Sequence, residues 1–142
     1  MPETKYGHLI LSEALRKDIP HYLGESVLAH DGQLGEDLSI GYHCIGGPMA
    51  FDRPHNHPFK EFLCFFGGDP AHVYDLGGEI EITLGDEEEK HTITRASIVT
   101  IPPDLRHCPI VFKRVDRPMA FLEISMVRIW EHGRDLPPVD KT

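Results

Sequence analysis

Apolar and polar residues alternate along several short stretches of the chain, and this pattern predicts β-strands. Residues 38–45 and 79–84 alternate with a period of two, which is typical of strands with one buried face. Residues 61–66 are apolar on both faces once Glu61 is set aside, so that strand needs cover on both sides. Short strands, turns rich in Gly, Pro and Asp, and no long helical pattern predict one antiparallel sandwich or barrel. Further strands are predicted at residues 97–101, 110–115 and 119–127.

The length and the pattern indicate a single domain without internal repeats. A chain of 142 residues is close to the usual domain size and can bury one core. We expect an N-terminal extension over residues 1–37, the barrel over 38–127 and a C-terminal tail over 128–142. Within the extension, residues 9–17 could form a short helix or an edge strand, which Pro20 would end.

Two features of the composition favour a cytoplasmic protein. No apolar stretch is long enough to span a bilayer, and the first residues lack the apolar core of a signal peptide. Cys44, Cys64 and Cys108 are odd in number and lie in apolar contexts, which favours buried thiols of a reducing compartment over disulfides. On a regular strand, Cys108 would face away from the side chain of His107.

The charge of the chain argues against a nucleic-acid partner. The formal net charge is −9, whereas a phosphate backbone requires a basic surface. The acidic residues 86–89 follow Gly85 between two alternating stretches, so we interpret them as a solvated hairpin tip. The partner that remains is a small molecule.

Four side chains predict a metal site. His55, His57 and Glu61 would project from one face of a single strand, since they are spaced i, i+2 and i+6. A third imidazole, His107, could complete the set from another strand. Three imidazole nitrogens and one carboxylate oxygen suit divalent Fe, Mn, Ni, Co or Zn, and the remaining positions would be open to water or substrate.

The same residues resemble the cupin superfamily. His55, His57, Glu61 and Gly68 are similar to its first motif, His-x-His-x3-Glu-x6-Gly, and residues 102–107 are similar to its second, Pro-x-Gly-x2-His. The resemblance covers residues 38–127. It implies an all-β, antiparallel jelly-roll barrel that holds one divalent metal ion (Fe, Mn, Zn or Ni) through the three histidines and the carboxylate. No further cofactor is expected.

The chain departs from the cupin motifs without losing a ligand. Met49 and Ala96 stand where the two motifs begin with glycine, and Val111 replaces the closing asparagine of the second motif. Asp104 replaces the turn glycine, and aspartate tolerates the left-handed conformation better than most residues.

Several other polar residues are candidates for catalysis. Arg53 and Arg106 could hold a negative group of the substrate. His72 and Tyr74, with Asp75, lie in a stretch that resembles a loop inserted at the barrel mouth, where we expect a lid over residues 69–75. No role follows from the sequence for His43 or His132.

The resulting hypothesis is a metal-dependent enzyme that acts on a small oxygen-rich molecule, such as an organic acid, a phenol or a sugar derivative. The resemblance to cupins implies a dioxygenase, an isomerase, a decarboxylase or a lyase, which share this ligand set, and the fold does not choose among them. The alternative is a barrel that binds or senses a small molecule without catalysis. Leu63 and Phe65 would form an apolar wall behind the substrate. The opposite face of that strand, with Phe62, Cys64 and Phe66, predicts a homodimer.

Overall fold

Twelve strands and one short 3-10 helix (Gly7–Leu9) form the regular structure of the computed structural model, which describes residues 4–18, 24–130, 133–137 and 139. Pro20 and His132 lie outside the described residues. The strands are β1 (Arg16–Asp18), β2 (Ser26–Ala29), β3 (Ser39–Ile45), β4 (Met49–Phe51), β5 (His55–Asn56), β6 (Glu61–Gly67), β7 (Asp75–Leu84), β8 (Glu89–Arg95), β9 (Ser97–Ile101), β10 (His107–Val115), β11 (Met119–Ser125) and β12 (Arg134–Asp135).

The strands are arranged in two antiparallel sheets that face each other. The first sheet has the order β1-β2-β3-β11-β6-β9, and the second has the order β12-β5-β10-β7-β8 with β4 also paired to β10. Within the described ranges, no strand pairing joins the two sheets. Side-chain packing between the sheets therefore closes this jelly roll, and the predicted all-β, antiparallel fold is confirmed.

The strands predicted from the alternating pattern are present. β3, β6, β7, β9, β10 and β11 overlap the six predicted stretches, and the acidic residues lie at the turn from β7 to β8 as predicted, with Glu89 as the first residue of β8. The ambiguous segment 9–17 contains the end of the 3-10 helix and the start of the edge strand β1. The C-terminal tail also contributes to the fold, since β12 pairs with β5 and covers its edge.

The core lies between the inner faces of the two sheets. Leu63 and Phe65 of β6 point inward and are 2% and 1% exposed, as the phase of the strand predicted. Phe65 stacks on Phe121 of the adjacent β11 with ring centroids 4.9 Å apart. From the second sheet, Ile80 and Phe112 fill the same cluster. No helix among the described residues is sufficiently long and apolar to cross a membrane.

Candidate metal centre

The four predicted ligands meet at one end of the barrel. His55 lies in β5 and is the register partner of His107, the first residue of β10. Glu61 is the first residue of β6 in the opposite sheet, and His57 lies in the connection between β5 and β6. Both sheets therefore contribute to the site.

The reason for this convergence differs from the predicted one. The sequence placed His55, His57 and Glu61 on one strand, but β5 ends at Asn56 and β6 begins at Glu61. Proline has no N–H to donate to a strand ladder, and Pro58 falls where the predicted strand would continue. The chain instead crosses from the second sheet to the first between His57 and Glu61, and the crossing brings the side chains together.

The turn of the second motif holds the first motif in place. Asp104 adopts φ 67°, so the left-handed conformation expected for this replacement of glycine is confirmed. Its backbone N–H donates to the carbonyl oxygen of His57 at 2.8 Å, and the side chain of Asn56 donates to the carbonyl of Asp104. The two motifs are therefore connected directly beside the ligands.

The donor atoms are close enough to share one ion. The donor atoms of His57, Glu61 and His107 all lie within 4.8 Å of one another. Nε2 of His57 is 3.4 Å and Nε2 of His107 is 3.7 Å from Oε1 of Glu61. The ring of His55 lies next to that of His107, with centroids 4.2 Å apart.

All three imidazoles have the same orientation relative to the backbone. Nδ1 of His55 lies 2.8 Å from the carbonyl oxygen of Arg53, and Nδ1 of His107 lies 2.8 Å from that of Leu105. Nδ1 of His57 lies 3.0 Å from the carbonyl of Phe59. A carbonyl oxygen only accepts, so in each ring Nδ1 carries the proton and Nε2 presents its lone pair. This arrangement is typical of histidines that bind metal.

Glu61 is held in its ionised form. The hydroxyl of Ser125 donates to its Oε2 at 2.7 Å, which turns Oε1 toward the imidazoles. Burial raises the pKa of the Glu61 carboxyl, but the electrostatic interaction with the nearby His57 and the hydrogen bond from Ser125 outweigh burial, so the pKa is lowered. Burial likewise lowers the pKa of His57, yet the adjacent Glu61 carboxylate raises it overall. The site thus favours a positive charge at its centre.

The residues fit a divalent ion. Nε2 of His57 is buried and makes no hydrogen bond within the described part of the chain. In the neutral tautomer its lone pair faces the Glu61 carboxylate, a repulsive contact that a cation would reverse. His57, Glu61 and His107 could therefore hold one metal ion, and His55, next to His107, would add a third imidazole; such donors match the borderline divalent metals.

A second polar group lies deeper in the barrel, and the sequence analysis did not identify it as a unit. Nε2 of His43 lies 3.2 Å from Oε1 of Glu123, and Nδ1 of His43 lies 2.7 Å from Oγ of Ser26. Glu123 is in phase with the buried Phe121 on β11, yet its side chain is 16% exposed. Its strand neighbour Gly41 has no side chain to fill this space. The polar Glu123 and Ser125 at the end of an apolar strand face were the available signal.

The two candidate arginines have different positions. Arg53 is exposed and pairs with Asp135 at 3.4 Å, so it lies on the surface. Arg106 is buried beside His107, and its carbonyl accepts from the N–H of Gly85. Among the described residues, no carboxylate lies within ion-pair distance of Arg106.

The predicted lid is at the wrong end of the barrel. His72 and Tyr74 lie in the connection from β6 to β7, and Asp75 begins β7. This connection follows Gly67, the last residue of β6, whereas the ligand Glu61 is the first. Gly67 is six residues after Glu61, so at about 3.3 Å per residue the two are roughly 20 Å apart. These residues cannot cover the metal site in this structure.

The prediction for Cys108 is also wrong. A regular strand would direct consecutive side chains to opposite faces, but Cys108 and His107 are both buried on the same side. Cys108 has φ 80°, and the pairing of β10 with β7 shifts register between His107 and Ile110. The irregular backbone brings the thiol within 4.8 Å of donor atoms of His55 and His107.

Solved structures of oxalate decarboxylases have the same architecture. One that addresses the substrate-binding mode and a switch of reaction specificity matches with a TM-score of 0.61 at 16% identity, over 87% of this chain and 30% of that chain. Bacillus subtilis oxalate decarboxylase, studied for its Mn(II) centres, matches with a TM-score of 0.58 at 14% identity, over the same shares of the two chains. These enzymes are cupins. The fold of this chain is the cupin fold.

The cupin-fold chain covers only part of those enzymes. It spans 30% of the length of each matched chain. No protein-family model matches the sequence, and no curated protein matches it either. The resemblance in the two histidine motifs and the match to solved structures therefore agree on the fold.

Proposed function

We propose that this chain is a mononuclear metal-dependent enzyme of the cupin fold that acts on a small organic acid. The observation that carries the proposal is the buried cluster of His57, Glu61 and His107, whose donor atoms lie within 4.8 Å of one another, with the ring of His55 next to that of His107. Oxalate decarboxylases, which share the fold and contain Mn(II), support both the class of metal and the class of substrate.

In this proposal His55, His57, His107 and Glu61 hold the ion. When bound, the ion supplies a Lewis acid that polarises oxygen atoms of the substrate. Ser125 fixes one oxygen of Glu61 and leaves the other for the metal. Because each imidazole is already oriented by a backbone carbonyl, little side-chain freedom is lost when the site is filled.

The neighbouring residues provide the other requirements of a substrate site. Arg106 is a buried cation without a carboxylate partner in the described structure, so a substrate carboxylate would compensate its charge. Leu63 follows Glu61 on the inner face of β6 and supplies an apolar wall that excludes water. Glu123, with His43 behind it, can accept or return a proton at its carboxylate.

Elemental analysis and thermal shift test the proposal together. Purified protein should contain about one metal ion per chain, and small dicarboxylates, catechols and sugar acids should be screened with and without it. We expect a carboxylate to raise the melting temperature of the metal-loaded protein only. The His107→Ala variant should lose both the metal and the shift, whereas His91→Ala, at an exposed histidine, should keep both.

The identity of the metal and of the ligand then selects the reaction. Manganese or zinc would favour a decarboxylase, lyase or isomerase, and iron would favour a dioxygenase. Ligands that stabilise the metal-free protein equally well would show that the metal does not hold the substrate. Binding without turnover would favour the non-catalytic binding barrel.

A further inference from the structure

The buried thiol of Cys108 stands beside the proposed metal centre and is not used by the four-ligand site. Its Sγ lies within 4.8 Å of donor atoms of both His55 and His107. The four-ligand site contributes a second cluster, formed by His57, Glu61 and His107. The two clusters share His107, with an oxygen anion on one side and a sulfur donor on the other.

We propose that Cys108 is a further metal ligand, which lets this site bind a soft divalent ion such as Zn²⁺ or Co²⁺ through His55, His107 and the sulfur. The inference rests on the metal site proposed above and extends it from one donor set to two. Hard ions such as Mn²⁺ would use the carboxylate of Glu61, because carboxylate suits Mn²⁺ and thiolate suits softer ions.

The orientation of the imidazoles supports this second set independently of the thiol. Both His55 and His107 direct Nδ1 to a backbone carbonyl at 2.8 Å, so Nε2 is the ring nitrogen through which each would bind an ion. The donor atoms of His55, His107 and Cys108 all lie within 4.8 Å of one another. His107 thus lies between the carboxylate and the sulfur, and His55 lies on the side of the sulfur.

The backbone of Cys108 explains how the thiol reaches this position. Its φ of 80° is rare for a residue with a side chain, and it coincides with the shift of register after His107. A regular strand would have sent Sγ to the outer face. The thiolate form of Cys108 would be the ligand. On binding, the S–H bond breaks, an S–metal bond forms and the proton leaves to solvent, as for other thiols that coordinate metal.

X-ray absorption of the Zn²⁺-loaded and Mn²⁺-loaded protein tests the inference without any substrate. We expect a sulfur scatterer at about 2.3 Å from zinc, beside nitrogen at about 2.0–2.1 Å. For the Mn²⁺-loaded protein we expect a shell of nitrogen and oxygen only. The wild-type spectrum gives the result even if a substitution at the core position 108 impairs folding.

Matched variants then assign the sulfur. Cys108→Ser should lose the sulfur scatterer, whereas Cys64→Ala should keep it, since Cys64 is also 4% exposed but lies outside both clusters. Glu61→Gln should weaken Mn²⁺ binding far more than Zn²⁺ binding. Zinc bound by nitrogen and oxygen alone would overturn the role of Cys108 and leave the proposed function intact. Failure of the wild type to bind any ion would overturn both.

Discussion

Replacing Ser125 with alanine is the sharpest test of how the protein prepares its metal site. The Ser125 hydroxyl donates to Oε2 of Glu61 at 2.7 Å, and both side chains are buried. The substitution removes this one hydrogen bond and changes no ligand. Glu61 then loses the partner that fixes its orientation and helps to keep it ionised.

Two independent estimates give the size of the effect. A hydrogen bond to a charged group contributes about 1.5–3 kcal/mol. Loss of a residue that orients a metal ligand typically weakens metal binding by about 10- to 100-fold. At about 1.4 kcal/mol for each factor of ten, this corresponds to roughly 1.4–2.8 kcal/mol. The estimates agree, so we expect Ser125→Ala to weaken Mn²⁺ binding by about one to two orders of magnitude.

Competition with a chelator of known affinity measures this change directly. Ser39→Ala is a matched control, because Ser39 is equally buried and is the register partner of Ser125 on β3. Its hydroxyl donates to the carbonyl of Val127 and not to a ligand. Equal loss of affinity in both variants would mean that packing, not the bond to Glu61, supports the site. Unchanged affinity in Ser125→Ala would refute the reasoning.

Three further predictions concern pH, the core and association. The pKa of His57 is raised above its usual 6.5, so protons should compete with the metal for this side chain already at a pH above 6.5. Equilibrium dialysis over a pH series measures the metal affinity. A loss of affinity that begins only below pH 6.5 would contradict the prediction. Phe121→Ala should lower the free energy of unfolding in urea by about 3–5 kcal/mol, since Phe121 is buried against Phe65; a loss under 1 kcal/mol would show that this stack contributes little. The homodimer remains a prediction, and it is supported by Ile98, which is 60% exposed beside Cys64 on the outer face of the sheet. Light scattering should give the mass of a dimer for the wild type and a lower mass for Ile98→Lys. A monomer mass for the wild type would exclude the homodimer.

The fold and the proximity of the candidate ligands were predictable from the sequence because both left local patterns. Alternation over 79–84 identified β7 through the burial of Ile80 and Ile82. The spacing of His55 and His57 pointed to side chains that do lie close together, although the single strand invoked to explain it is absent, since β5 ends at Asn56 and β6 begins at Glu61. Their convergence depends on the chain crossing between sheets, and Pro58 was the local residue that indicated a break.

The remaining features depend on tertiary structure that a one-strand pattern does not encode. The inward thiol of Cys108 coincides with a positive φ and a register shift, and the adjacent Pro109 signalled an irregular strand without specifying the direction of the thiol. The bond from Ser125 to Glu61 joins residues 64 positions apart. The lid was predicted at the wrong end because the length of the insertion indicates only that a loop is present. The direction of the strands decides at which end of the barrel that loop lies.

No pairing joins the two sheets among the strands that the structure describes, and this gives a bound metal a mechanical role. Glu61 belongs to the first sheet, and His55 and His107 belong to the second, so a bound ion is a cross-link between layers that otherwise only pack together. An ion that binds only the folded chain stabilises it by about 2.7 kcal/mol at 100 times its dissociation constant. Chelation should therefore loosen one end of the barrel selectively: amide protons near β5 should exchange faster, while those near Gly67, at the far end of β6, keep their protection.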